Sequence, residues 1–143
     1  MSSCRIKAFV VPLCDDYTVI VRNDKRTKRN IWEFAGGTIR HGTPILRAVT
    51  TKIKFETGIT IAPSALRLVA VTRFRDGCPL YLFVAYCGSK EDVFRQAMAE
   101  QESPCHRIIF TKVRELDRMN LRFDHASALR QADMNRLTRR CIS

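Results

Sequence analysis

One segment of the chain, residues 31–59, contains most of the signals that constrain how it folds. Thr43 and Pro44 predict a helix start, with Thr43 as the N-cap and Pro44 at the first helical position. Four apolar residues then recur at helical spacing and predict a stripe that faces the core: Ile45, Leu46, Val49 and Ile53. Gly58 predicts the helix end, because glycine readily adopts the left-handed conformation found after many helix C-termini. The segment therefore predicts a helix from about Pro44 to Thr57, packed against a sheet.

The remaining sequence predicts strands on both sides of this helix and a further helix near residue 124. Runs rich in β-forming residues lie at positions 5–13, 17–22, 31–34, 66–74, 80–87 and 106–113. Polar turns at residues 14–16 and 75–79 predict hairpins. Residues 91–102 predict a short helix or a loop, and Asp124 is the predicted cap of a last helix that continues to about Thr138. This order predicts an α/β fold with a mixed sheet and helices on its faces, and 143 residues fit one domain over residues 1–143.

The charge of the chain indicates the class of its partner. Lysine and arginine number 25 against 14 acidic residues, which gives a formal net charge of +11. An excess of this sign favours polyanionic partners such as nucleotides, RNA or acidic surfaces. A basic surface also favours solubility without any partner, and the sequence leaves both interpretations open. The hydrophobic content of 45% is ordinary for a folded globular protein and argues against disorder as the dominant state.

Cysteine usage and hydropathy predict a cytoplasmic protein. The six cysteines are scattered and include no CxxC motif, so we expect reduced thiols rather than a disulfide framework or a zinc site. The short apolar run after Arg5 and Lys7 is followed at once by Asp15 and Asp16, which does not fit a signal peptide. No apolar stretch approaches the roughly 18 residues that a membrane span needs. We therefore expect no membrane partner.

Residues 31–59 resemble the characteristic box of the Nudix (MutT-like) hydrolase superfamily. The run Trp32–Gly37, WEFAGG, is similar to the WEFPGG sequence of MutT-type members, with Ala35 in the place of proline. Several later positions match the family pattern or fall in register with it: Gly42, Ala48, Glu56, Gly58 and Ile59. The resemblance implies a Nudix-type α/β/α sandwich. It also implies Mg²⁺-dependent hydrolysis of a nucleoside diphosphate linked to another group, with acidic residues of the box helix as metal ligands.

Most of those acidic residues are replaced in this chain. With Gly37 aligned to the first glycine of the pattern, Thr43, Lys52 and Phe55 stand at glutamate positions and Thr51 at the arginine position. Residues i, i+3 and i+4 share one helix face, which is how clustered carboxylates converge on Mg²⁺. A lysine there turns an attraction for the ion into a repulsion, and even two unit charges 4 Å apart interact by about 4 kcal/mol in a near-surface dielectric. Glu56 remains as the candidate catalytic and metal-binding residue, and we expect Mg²⁺ to bind weakly if at all.

Basic residues near the box are the candidate ligand-binding groups. Arg40 lies between the two glycines and the helix, Lys52 lies on the helix, and Lys28 and Arg29 lie in the preceding loop. Together with the glycine backbone at Gly36-Gly37, such cations can hold a pyrophosphate without metal. Taken singly, each loop lysine or arginine also fits an ordinary solvated loop. Lys52 is the more specific candidate, because it stands at the centre of the family's metal site.

Three functions remain open from the sequence. The first is a Nudix-fold protein that binds a nucleotide, another pyrophosphate-containing small molecule or an RNA end, with weak or absent Mg²⁺-dependent hydrolysis. The second is an active hydrolase in which acids outside the box, such as Glu33, Glu100 or Glu102, supply metal ligands. The third is a protein-interaction module that uses the fold alone. The sequence predicts neither the ligand nor the oligomeric state.

Overall fold

The computed structural model describes residues 5–25, 30–73 and 76–132. The strands are β1 (Lys7–Cys14), β2 (Tyr17–Asn23), β3 (Ala35–Thr38), β4 (Arg67–Arg73), β5 (Pro79–Gly88) and β6 (His106–Lys112). The α-helices are α1 (Ile45–Thr57), α2 (Lys90–Glu100) and α3 (Phe123–Ala132), and two 3₁₀ turns span Pro63–Ala65 and Val113–Arg118. No helix in the described ranges is long and apolar enough to cross a membrane.

The strands form one mixed sheet in the order β4-β5-β1-β2-β6. β1 and β5 are parallel, whereas the other pairs are antiparallel. β3 lies beside the first half of β1, and β2 pairs with β1 only at Cys14 and Tyr17. β2 and β3 thus share one side of β1, which brings the glycine-containing β3 to the centre of the sheet.

Two apolar clusters show that the sheet is covered on both faces. One cluster joins the sheet to α1 and α2 and includes Val49, Ile53, Val93 and Ala97. The other joins it to α3 and the second 3₁₀ turn and includes Val113, Leu116, Ala128 and Ala132. β1 contributes alternate residues to the two clusters, as a strand in the middle layer must. The predicted α/β/α sandwich with a mixed sheet is confirmed.

The start of the box helix differs from the prediction. Pro44, not Thr43, occupies the N-cap position, and no side chain forms a capping hydrogen bond there. Leu46 was predicted to face the core but is 38% exposed, while Val49 and Ile53 are fully buried as expected. The stripe is therefore narrower than the apolar pattern suggested, since one apolar residue lies on the solvent side. The predicted end is confirmed: Gly58 is left-handed at φ 81° and its N–H bonds to the carbonyl of Lys54.

Other boundaries also required correction. The predicted strand at residues 31–34 contributes only isolated bridges, at Trp32 and Glu33, and the regular strand begins at Ala35. Residues 91–102 are helical through Glu100, with Ser89 as the N-cap. The last helix starts before Asp124, so this residue lies in the first turn and is not the cap. Its predicted continuation to Thr138 lies outside the described residues.

Candidate functional site

Each of the paired glycines of β3 lies close to a neighbouring element. A Cβ atom on Gly36, whose φ is +143°, would lie 2.1 Å from the carbonyl oxygen of Ala8, so only glycine can pair there. Gly37 instead faces α1: a Cβ on this residue would lie 3.6–3.7 Å from the last atoms of the Lys52 side chain, including Nζ. Lys52 therefore extends across the bare surface of Gly37. The structure brings together these two predicted ligand-binding positions.

Glu56, the remaining box acid, is held inside the molecule. The residue is only 9% exposed, and its Oε1 atom lies 3.4 Å from the backbone N–H of Gly36 and 3.7 Å from Nε2 of His106. The side-chain amide of Gln101 donates at 2.8 Å to the carbonyl oxygens of both Glu56 and His106. These contacts tie the end of α1 to β3 and to the start of β6. Glu56 consequently has a structural environment that the sequence did not predict.

The residues around Glu56 do not form an oxygen-rich site that fits Mg²⁺. Among the described residues, no three His, Cys, Asp or Glu side chains converge on one point. The other two glutamate positions on the box helix carry Lys52 and the half-exposed Phe55. Two of the acids that the sequence offered as substitutes are paired elsewhere: Glu33 with Arg122 at 2.8 Å and Glu100 with Lys54 at 3.4 Å.

A groove of about 590 Å³ lies beside α1 and is lined by basic and hydroxyl side chains. We call it the basic groove; its lining comprises Arg5, Thr38, Ile39, Arg40, Thr43, Arg47, Ala48, Thr51 and Lys52. No carboxylate is among these residues. The ion pairs found between described residues involve other cations and leave all four groove cations without an acidic partner. The groove therefore combines concave shape with concentrated positive charge, the arrangement that attracts anions.

The strand register explains how two of these cations meet. Lys7 is opposite Thr38 in the antiparallel β1–β3 pair, and the N–H of Ile39 donates to the carbonyl of Ile6 at 2.8 Å. Continuing this register places Arg5 opposite Arg40. Both arginines line the basic groove.

Helical spacing supplies the other cations. Arg47 and Thr51 are four residues apart on α1, as are Ala48 and Lys52, so these four side chains share one face of the helix. The core-facing residues Val49 and Ile53 lie on another face. The helix start adds to the positive potential, because it has neither a side-chain cap nor an acidic residue in its first turn.

The structure thus places some of the predicted residues in one groove and adds two arginines to them. Of the predicted ligand-binding residues, Arg40 and Lys52 line the basic groove, whereas Lys28 and Arg29 lie outside the described residues. Arg5 and Arg47 were missed by sequence reasoning. Arg47 could have been found from its helical spacing to Lys52, but the position of Arg5 depends on the β1–β3 register, which no local signal reveals.

The comparisons with known proteins concern the fold. The sequence matches no protein-family profile and no curated protein. Its structure is similar to that of the E. coli ORF135 protein, with a TM-score of 0.68 and 15% identity over 94% of this chain and 92% of that one. It is also similar to a MutT/nudix family protein from Enterococcus faecalis (TM-score 0.70, 16% identity, 97% of this chain and 64% of that one). An ADP compounds hydrolase gives a TM-score of 0.68 at 17% identity over 97% of this chain and 76% of that protein.

These likenesses define the architecture. The three-layer sandwich is the architecture shared with these structures, since the similarity covers 94–97% of this chain. The chain has the MutT/Nudix fold. At 15–17% identity the likeness extends to the fold alone.

Proposed function

We propose that this protein binds a phosphate-rich ligand in the basic groove: a nucleotide, a nucleoside-diphosphate-linked compound or an RNA end. Mg²⁺-dependent hydrolysis is weak or absent in this proposal. The observation that carries it is the set of four cations, Arg5, Arg40, Arg47 and Lys52, which line one groove without an acidic partner among the described residues. A pyrophosphate group would supply the missing negative charge.

The groove side chains have complementary roles toward a phosphate chain. An arginine guanidinium can donate two parallel hydrogen bonds to phosphate oxygens, while the lysine ammonium acts as a compact point charge. Thr38, Thr43 and Thr51 add hydroxyl groups. In this proposal Lys52 replaces a metal ion with a covalently attached cation. Binding then requires no divalent ion, in contrast to a site built from carboxylates.

A hydrolase is the second candidate, because several of the similar structures carry that name, among them the ADP compounds hydrolase. An active enzyme here would need metal ligands from outside the box helix. Glu102 is available for such a role, since it is exposed and forms no ion pair with a described residue. Mg²⁺-dependent release of nucleoside monophosphate from ADP-linked compounds, abolished by Glu102→Gln, would favour this candidate over a pure binding protein.

A thermal-shift screen provides the first test of binding. Nucleotides, pyrophosphate compounds and short RNAs would be compared with and without Mg²⁺. A ligand at 100 times its Kd adds about 2.7 kcal/mol of stability, which is readily detected. We expect stabilisation in EDTA by at least one of these phosphate compounds. Failure of all of them to stabilise the protein would contradict the proposal and favour the protein-interaction module.

A charge reversal at Lys52 tests the site itself. Lys52→Glu should lower the affinity for ADP in EDTA by about tenfold at low salt, since it removes an attraction and adds a repulsion. The loss should shrink in 1 M salt, where the Debye length is about 3 Å. Arg114→Glu is the matched control: it makes the same charge change at an exposed residue of the second 3₁₀ turn, which packs on the other face of the sheet. Equal effects of the two variants would contradict a specific role for Lys52.

A further inference from the structure

An exposed aromatic ring lies at the end of the basic groove. Phe55 is 39% exposed and stands four residues after Thr51 and seven after Ala48, two residues that line the groove. This spacing puts the three side chains in one row along α1. Phe55 also lines an adjoining cavity of about 340 Å³, and Thr51 belongs to both that cavity and the basic groove. The groove and the ring therefore form one continuous surface.

The basic groove offers no aromatic ring for stacking a base, and its planar groups are three arginine guanidinium groups that the proposed function assigns to the phosphates. Its described lining contains cations, hydroxyl groups and two aliphatic side chains, Ile39 and Ala48, with no aromatic ring and no amide. Bases are held chiefly by stacking on aromatic or guanidinium planes and by hydrogen bonds at their edges. The Phe55 ring is an apolar surface on which a planar group attached to the phosphates would stack. The adjoining cavity also presents polar groups for the edge of a ring, from Thr60 and Glu102.

We propose that Phe55 is the stacking platform for the base of a nucleotide whose phosphates lie in the basic groove. The proposal deepens the proposed function and rests on it. Lys52 lies three residues before Phe55, about 4.5 Å along the axis, so it would contact the phosphate nearest the nucleoside. Arg40 and Arg5, beyond the start of α1, would contact the far end of the phosphate chain. The box helix would thus hold both parts of the ligand.

The backbone at Phe55 is held in place before a ligand arrives. The carbonyl oxygen of Phe55 accepts hydrogen bonds from the N–H groups of Glu102, at 3.3 Å, and Ser103, at 3.0 Å. Single exposed apolar residues are common on protein surfaces and alone indicate nothing. Phe55 differs from Phe94 because the cavity that it lines shares Thr51 with the basic groove. Phe94, which is 48% exposed on α2, lines a separate cavity that does not share a residue with the basic groove.

The test compares a nucleotide with the same phosphates lacking a base. Affinities of ATP and inorganic tripolyphosphate would be measured in EDTA for the wild-type protein and for Phe55→Ala, Phe55→Trp and Phe94→Ala. Stacking of a base is worth about 1–3 kcal/mol, so Phe55→Ala should weaken ATP about fivefold or more. Tripolyphosphate affinity should stay within about twofold. Phe55→Trp should retain ATP binding, and Phe94→Ala should change neither affinity.

The outcomes separate this inference from the proposed function. If ATP binds and Phe55→Ala leaves its affinity unchanged, or if the variant weakens tripolyphosphate to the same extent, the stacking role is wrong while the phosphate site stands. If neither compound binds the folded wild-type protein, and other nucleotides and RNA ends also fail, both proposals are wrong. Circular dichroism of each variant confirms folding, which we expect because Phe55 is half-exposed and its ring lies outside the apolar clusters.

Discussion

His125 should make the stability of this protein fall in mildly acidic solution. Its ring is completely buried in the layer that contains α3, with its centroid 4.1 Å from that of Phe9 and 5.8 Å from that of Phe34. Nδ1 accepts a hydrogen bond from the backbone N–H of Phe34 at 2.9 Å, and Nε2 has no hydrogen-bond partner among the described residues. Burial, together with the nearby charges of Arg122 and Lys7, lowers the pKa of His125 to about 3. The folded protein therefore contains a neutral imidazole.

The sign and size of the effect follow from this shift. In the unfolded chain the pKa of the imidazole is near its ordinary value of 6.5, so below that pH the unfolded state binds a proton that the folded state rejects. The contribution of neutral His125 to the free energy of unfolding is fully present above pH 6.5 and declines as the pH falls from 6.5 toward 3. At pH 5 the two pKa values correspond to a loss of about 2 kcal/mol relative to neutral pH.

Urea unfolding at pH 7 and pH 5 measures this loss. His125→Asn retains an acceptor near the position of Nδ1 but does not titrate, so it should lose about 2 kcal/mol less than the wild type over this range, whatever its starting stability. His41→Asn, at an exposed histidine, should lose as much as the wild type. NMR of the folded protein at pH 5 should show His125 neutral. The reasoning is refuted if wild type and His125→Asn lose the same free energy between the two pH values.

Three further predictions concern the scaffold. Gly58→Ala should destabilise the protein far more than Gly42→Ala in urea unfolding. Both glycines are left-handed, a conformation that costs alanine about 1–2 kcal/mol. Of the two, only Gly58 has backbone atoms 2.6–2.9 Å from the position of the new Cβ. Equal losses would show that this contact relaxes freely. Ser89→Ala should cost about 1 kcal/mol by the same measurement, because the Ser89 hydroxyl accepts the N–H of the third residue of α2, and an unchanged midpoint would contradict this. Burial raises the pKa of Cys14 and of Cys87 to about 12. Iodoacetamide at pH 8 should therefore label both thiols slowly in the folded protein and rapidly in urea, as measured by mass spectrometry. Rapid labelling of the folded protein would contradict this prediction.

The parts of the fold that could be predicted were those with strong local signals. Gly58 ends α1 as expected, since a left-handed residue is needed there and glycine provides it at little cost. The antiparallel pairing of β4 and β5 was also evident from the polar residues between them. The strand before the glycines was misplaced, because Trp32 and Phe34 have high β-propensity but pack as buried side chains of an irregular segment. Tertiary packing overrode local preference there.

The candidate site was only partly predictable for a similar reason. Arg40 and Lys52 lie within residues 31–59, so the sequence of that segment is enough to identify them. Arg5 is distant in sequence and reaches the groove through the pairing of β1 with β3. The contacts of Glu56 with Gly36 and His106 join three elements, whereas the sequence alone suggested a catalytic or metal-binding acid. Nonlocal contacts of this kind have no signature in the residues on either side.

The replacements at Lys52 and Phe55 make physical sense together under the proposed function. A site of several carboxylates repels phosphate until divalent ions neutralise it, so losing one acid would leave a weakened metal site with residual repulsion. The Lys52 ammonium group makes the ion unnecessary for binding. The Phe55 ring, three residues later, can stack a base only if the phosphates of the same ligand lie beside it. Glu56, no longer required as a ligand, can be buried against the Gly36 N–H and His106 without loss of binding. A fixed cation can hold a pyrophosphate but does not activate water as a bound metal does, which is why we propose binding rather than rapid hydrolysis.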